Sequence, residues 1–236
     1  MMIKIGTFFF RFRDALFPFA FLVVLLPGPR LFSAPLFAAA LGFVIAASGQ
    51  FVRAATIGLR YIIRGGKNRR VYAEELVTEG LYSHSRNPMY VGNLLILAGV
   101  AIAANSWTCV VVAVPFFLFV YSAIIAAEEA YLREKFGAAF DAYLHDVPRW
   151  LPLLDGLGTT LAGSRFHWRR VLVKEYNTPF GWVAGICVIA LWNLSREGPL
   201  GADANTVRFL VAVIVVAAIS WAIAWILKKT GTVVPD

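Results

Sequence analysis

The sequence predicts an all-α integral membrane protein, and three observations carry that prediction. Hydrophobic residues make up 59% of the 236-residue chain and charged residues only 15%, against about 45–50% and about 25% in a water-soluble domain. Mean hydropathy is +0.70, and the apolar residues gather in runs of about the 17–25 residues that cross a bilayer. The basic residues alternate from one side of these runs to the other. In lipid the backbone must satisfy its own hydrogen bonds, so such runs fold as helices. The composition excludes a disordered chain, a collagen and a disulfide scaffold. Cys109 and Cys187 sit inside apolar runs and read as small core residues. His84, His145 and His167 are scattered without metal-ligand spacing, so no metal site is expected.

Six spans follow in order. The first, 15–27, is short, contains Pro18, and borrows residues 8–12 with Arg11 and Arg13 snorkelling to the surface. The others are 31–51, 88–104, 108–127, 179–194 and 207–227. With the N-terminus inside, nineteen of the 22 Lys and Arg residues fall on the cytoplasmic side, and only Arg30, Arg196 and Arg208 fall outside. Both termini are therefore expected in the cytoplasm. The first 13 residues lack a cleavage-site pattern, which with the basic inner loops fits a bacterial inner membrane. The net charge of +8 belongs to loops that face anionic lipid, since no basic stretch is interleaved with base-stacking aromatics; no nucleic-acid partner is expected. Ala38, Gly42 and Ala46 form a small-residue face on the second span, and Gly181 and Gly185 form another on the fifth.

Residues 51–63 read as an interfacial helix that turns at Gly65 and Gly66. The basic run from Arg64 to Arg70 is a topology anchor or an attractor of anionic headgroups. Residues 127–152 read as a helix leaving the fourth span, with Tyr131, Leu132, Phe136, Phe140, Tyr143 and Leu144 at helical spacing and a stop at Val147 and Pro148. Residues 151–177 form a connector. Three units result: 1–73, 74–152 and 153–236.

The residues able to do chemistry lie in two clusters. One runs from Gly80 to Gly92 and includes Tyr82, His84, Arg86, Asn87, Pro88, Met89 and Tyr90, where the chain enters the third span. Pro88 suits a helix start, and a helix start attracts anions. The other is Glu128 and Glu129 at the cytoplasmic end of the fourth span, where carboxylates are costly unless paired or solvated. The third and fourth spans are joined only by Asn105, Ser106 and Trp107, which makes them an antiparallel hairpin. Pro88 and Ala127 lie 17 and 20 residues from that turn, so at about 1.5 Å per residue both clusters return to one depth. A carboxylate pair, a helix start and aromatic rings would suit a zwitterionic cofactor with an aromatic base. The competing reading pairs Glu128 and Glu129 with Arg133 at helical spacing and makes Arg86 a topology anchor.

Residues 74–152 resemble the C-terminal half of the isoprenylcysteine carboxyl methyltransferase and phospholipid N-methyltransferase superfamily. The resemblance rests on residues 76–82, on 85–92, on Glu128 and Glu129, on Phe136 and Gly137, on Tyr143, and on Val147 and Pro148. It implies an integral membrane enzyme that uses S-adenosylmethionine from the cytoplasmic face. Carried over by position, Glu75, Leu76, Val77 and Tyr82 line the adenine side. Asn87, Pro88, Met89 and Tyr90 surround the methionine part with Arg86 beside them, and Glu128 takes the ammonium or ribose end. Two positions depart from the pattern. Asn87 replaces a histidine common in the family, which removes a titratable ring. Ile124 stands where the prenylcysteine enzymes place an arginine for the substrate carboxylate.

The expected reaction is methyl transfer from a sulfonium to a membrane-soluble acceptor, an amine-bearing phospholipid in preference to a prenylcysteine. Arg86 and Glu129 are the candidate catalytic residues, with Glu129 as base if one is needed. The expected partners are membrane lipids. The other readings are an NADPH-dependent enzyme resembling sterol reductases, and a non-catalytic membrane scaffold.

Overall fold

The computed structural model describes residues 1–20, 28–60, 71–197 and 203–234, with side chains omitted for 13–20. The described residues form nine α-helices and one 3-10 turn, with no strand among them. They are α1 (Met2–Ala20), α2 (Pro35–Leu59), the turn Gly80–Ser83, α3 (Pro88–Ala103), α4 (Trp107–Phe136), α5 (Ala138–Asp146), α6 (Leu157–Gly163), α7 (Trp168–Glu175), α8 (Asn177–Ser195) and α9 (Ala204–Lys229). Four of them, α2, α4, α8 and α9, are long and apolar enough to cross a membrane. The protein is a multi-pass membrane protein. At 16 residues, α3 is about 24 Å long, short of the roughly 30 Å hydrocarbon core.

The tightest seam joins α2 to α3 as antiparallel neighbours. A Cβ on Gly42 would strike the Gly99 carbonyl, and one on Gly49 would strike that of Gly92. The glycines lie seven apart on both helices, so two backbones meet along two turns. Asn105 makes the turn into α4 with φ of 53°. Its side chain accepts from the Phe32 N–H at 2.9 Å and donates to the Phe32 carbonyl at 3.0 Å, clamping the start of α2 to the far end of the hairpin. The Ser106 hydroxyl caps α4 by accepting from the Cys109 N–H.

α1 runs antiparallel to α4. Gly6 abuts the Ala123 carbonyl, and Phe9 meets Phe119 edge-on at 6.5 Å. Phe10 enters a core with Leu97, Phe117, Tyr121, Ile124 and Ile125. α8 and α9 also run antiparallel, with the Trp221 indole donating to Asn177 at 2.7 Å. The start of α1 and the end of α9 thus lie at the end of the bundle that carries Arg86 and Glu128. Cys109 and Cys187 are buried thiols, as read.

Several boundaries differ from those expected. Where a first span was expected at 15–27, the helix α1 begins at Met2, because Gly6, Phe9 and Phe10 give it a face that docks on α4, and α1 is not among the four long apolar helices; residues 21–27 lie outside the described part. The interfacial helix and the second span are one helix, α2. Ala55, Thr56, Ile57, Gly58 and Leu59 are buried in its last turns, so the helix has no reason to break at Phe51. The rest of that expectation, 61–70 with its glycine turn and basic run, lies outside the described residues. The helix expected over 127–152 is broken at Gly137, whose φ of 53° and ψ of −129° suit glycine alone. The connector contains α6 and α7. The Gly181 and Gly185 face meets nothing within 4 Å.

A polar cluster invisible in the spacing ties α2 to the C-terminal helices. Arg53 on α2 reaches Glu175 at the end of α7 with Nε at 2.5 Å and Nη2 at 2.8 Å, and it also bonds Asn93. Glu175 is only 3% exposed. Gln50 bridges this cluster to the Trp182 indole at 3.1 Å.

Candidate functional site

The hairpin brings the two clusters together at one end of the bundle. The Tyr90 hydroxyl, one turn into α3, donates to Glu128 Oε1 at 2.9 Å. Arg86 Nη1 lies 3.0 Å from Glu129 Oε1, and Arg149 holds both oxygens of Glu129. Arg133 instead binds Asp141 at 2.7 Å. The expected alternative, in which Glu128 and Glu129 pair with Arg133, is therefore overturned. α5 turns back at Gly137 and offers Asp141 to Arg133 from across the break.

A short double layer of chain presents Arg86 and Arg149. The Arg86 N–H donates to the Pro148 carbonyl at 2.9 Å, and the Leu153 N–H donates to the His84 carbonyl at 2.9 Å. The Ser85 hydroxyl donates to the Trp150 carbonyl at 3.2 Å, and Asn87 Nδ2 donates to the Arg149 carbonyl at 3.1 Å. Pro148 ends α5 and leaves the following carbonyls extended, free to receive these donors. The Tyr143 hydroxyl donates to the Tyr82 carbonyl at 2.7 Å, which fixes α5 against the turn Gly80–Ser83.

Glu128 opens on a small cleft of about 40 Å³ bounded by 71–73, Glu75, Leu76, Val77, Leu132 and Tyr143. Lys135 closes one edge by donating to the Ala73 carbonyl, and its ammonium lies over the Tyr72 ring at 5.7 Å. Of the expected cofactor positions, Glu75, Leu76, Val77 and Glu128 line this cleft directly, and Tyr90 reaches Glu128. Tyr82 is buried in its wall at 2% exposure. Asn87 spends its side-chain amide on Arg149. Pro88 faces a second, apolar cleft, and Met89 is half-buried and lines neither.

The electrostatics are uneven. Two guanidinium groups share one carboxylate at Glu129, and the Glu128 carboxylate beside them brings the cluster to formal neutrality. Burial pulls the Arg86 guanidinium below its ordinary value and Arg149 adds to that, while Glu129 opposes it. Glu129 has both oxygens engaged by the two guanidinium groups. Ile124 is 1% exposed, within a core of described apolar residues that includes Phe10, Phe117 and Tyr121. Sequence reasoning missed Arg149 and Tyr143 as parts of the site. Their signal was the motif piece at Val147 and Pro148, which positions its neighbours. Among the described residues no group of three or more His, Cys, Asp or Glu side chains is placed to hold a metal ion.

Comparison with known proteins gives a consistent picture. Residues 31–139 match the family model described as phospholipid methyltransferase. The chain is similar to Protein-S-isoprenylcysteine O-methyltransferase of Schizosaccharomyces pombe, 28% identical over 120 residues, which are 49% of this chain and 49% of that protein. It is also similar to the nickel-cobalt-cadmium resistance protein NccN of Alcaligenes xylosoxydans xylosoxydans, 35% identical over 80 residues, 34% of this chain and 37% of that protein. A third relative is the cobalt-zinc-cadmium resistance protein CzcN of Cupriavidus metallidurans, 34% identical over 106 residues, 44% of this chain and 46% of that protein. The chain thus spans half or less of the length of these relatives. No solved structure matches.

Proposed function

We propose that the chain is a membrane methyltransferase that takes S-adenosylmethionine in the Glu128 cleft and an amine-bearing lipid as acceptor, a reading supported by the match of residues 31–139 to the phospholipid methyltransferase model and by the similarity to an isoprenylcysteine O-methyltransferase. The observation that carries this reading is Glu128. It is a buried carboxylate, oriented by the Tyr90 hydroxyl, that opens on a cleft walled by Leu76 and Val77.

The donor set fits that cofactor. Glu128 offers a carboxylate to an ammonium or to ribose hydroxyls. Leu76, Val77 and the Tyr143 ring offer apolar and aromatic faces to an adenine, and Glu75 stands at the rim for further hydroxyls. When bound, S-adenosylmethionine supplies a methyl group on a good sulfonium leaving group. The protein's own work is then to position the acceptor and exclude water. Arg86 and Arg149 are guanidinium donors of the kind that suits an acceptor's phosphate. Glu129 holds the two guanidiniums in place, so its role is positioning, not proton removal. A neutral amine needs no carboxylate clamp, and Ile124 provides none.

The test is transfer of labelled methyl from S-adenosylmethionine to phosphatidylethanolamine by the detergent-solubilised protein. The reading expects label in the lipid fraction and none when a prenylcysteine is offered alone. Tight binding of NADPH with no methyl transfer would replace it with the reductase reading.

A further inference from the structure

Residues 151–175 connect α5 to α8 and lie beyond the matched residues 31–139. Particular contacts pin this connector to the ends of α2 and α3. The Leu153 N–H donates to the His84 carbonyl at 2.9 Å, just ahead of α3, and the Thr160 hydroxyl of α6 lies 2.8 Å from His84 Nε2. The His167 N–H donates to the Gly58 carbonyl at 2.9 Å, the Phe166 ring packs on Gly58, and Arg53 of α2 holds Glu175 at the end of α7. Gly58 is 23 residues past Pro35, the start of α2, so it lies about 35 Å along the helix, beyond a hydrocarbon core of roughly 30 Å. The connector is thus held at the depth of the lipid headgroups. Leu157 and Leu161 of α6 share a cleft with Phe51, which is 68% exposed on a helix long enough to span, so α6 stands on the lipid-facing flank of α2.

We propose that this connector is a binding surface for anionic phospholipid. Its exposed leucines and tryptophan enter the boundary between headgroups and acyl chains, and its arginines hold headgroup phosphates. The proposal stands apart from the methyltransferase reading and concerns a part of the chain that the candidate site does not use.

Three observations select that occupant. First, Leu151, Leu154 and Trp168 are exposed at 82%, 75% and 58%. Large apolar side chains presented together mark an interaction surface, and at headgroup depth the bilayer itself covers them. Second, residues 151–174 carry Arg165, Arg169, Arg170 and Lys174 against the carboxylate of Asp155 alone, a charge complementary to an anionic leaflet. Lys228 at the end of α9 continues this basic rim, with its ammonium over the Tyr176 ring at 4.9 Å. Third, apolar and cationic groups are interleaved. The Arg169 guanidinium lies over the Trp168 ring at 5.6 Å, and Arg165 directly precedes the exposed ring of Phe166. A free phosphate or nucleotide would use the cations and leave Leu151, Leu154 and Trp168 in water. The bias that sets topology asks only for cations. A phospholipid uses both kinds of side chain.

The experiment places the full chain in phosphatidylcholine nanodiscs with and without phosphatidylglycerol and reads amide hydrogen exchange by mass spectrometry. A cation near an anionic surface contributes about fivefold in affinity, so Arg165 and Arg169 together supply about twenty-five-fold. The proposal expects phosphatidylglycerol to slow exchange over 164–174 by up to that factor. It expects Arg165→Gln with Arg169→Gln to remove the slowing and Arg165→Lys with Arg169→Lys to keep it, with exchange in α9 the same in all three proteins. Equal exchange in the two kinds of disc overturns the proposal, as does slowing that survives the glutamine pair or is lost in the lysine pair. Slowing produced by inorganic phosphate in phosphatidylcholine discs also overturns it, in favour of a site for free anions. None of these readouts depends on methyl transfer, so they succeed or fail apart from the methyltransferase reading.

Discussion

The α2–α3 seam and the α8–α9 pair carry the same small-residue signature and use it differently. Gly42 and Gly49 meet Gly99 and Gly92, so backbone lies on backbone. Gly181 and Gly185 meet nothing within 4 Å. The difference teaches that small residues permit close approach but do not cause it. A seam forms where the partner helix is also small at the same register, as α3 is at Gly92, Gly99 and Ala103. The tight seam leads to the end of the bundle where Arg86 meets Glu129 and Tyr90 meets Glu128. The C-terminal pair is fastened to it by an apolar cluster of Ala39, Ala46, Ile96 and Val100 with Ile186, Cys187 and Ala190, and by the Arg53 bond to Glu175.

Substitutions can break or sharpen that contrast. The largest stability effect is expected for Glu175→Ala, which strands the Arg53 guanidinium in a buried position at a cost of about 3–5 kcal/mol. A thermal melt in detergent should show a large drop, and an unchanged melt would mean that the two halves are not joined there. Gly99→Ala puts a methyl against the Gly42 carbonyl and should cost about 1–3 kcal/mol by overpacking. A neutral result would show that the seam has slack. Gly185→Ala has open space and should stabilise α8 by up to about 1 kcal/mol through helix propensity. A destabilised protein would reveal a partner surface on α8.

Much of the architecture was legible because it follows from length and hydropathy. The four long apolar helices and the α3–α4 hairpin come from run lengths and from the three-residue link at Asn105, Ser106 and Trp107. The meeting of Arg86 with Glu129 and of Tyr90 with Glu128 came from counting residues back from that link, a calculation that needs only the helical rise. The break at Gly137 was not legible, because a glycine in a helical pattern does not announce its φ. Docking of α1 was hidden for a related reason. Residues 8–12 read only as a stretch borrowed by the span at 15–27, and only α4 shows Gly6, Phe9 and Phe10 what to face. Arg53 with Glu175 and Arg149 with Glu129 join residues far apart in sequence, and no local spacing encodes such pairs.

The central claim is that the cleft at Glu128 binds the cofactor, and calorimetric titration of S-adenosylhomocysteine into wild-type and Glu128→Ala protein tests it most directly. A hydrogen bond to a charged group contributes about 1.5–3 kcal/mol, so the variant should bind about tenfold to a hundredfold more weakly. The variant's thermal melt should stay near that of the wild type. Equal affinity in both proteins, or no binding by a folded wild type, would contradict the account.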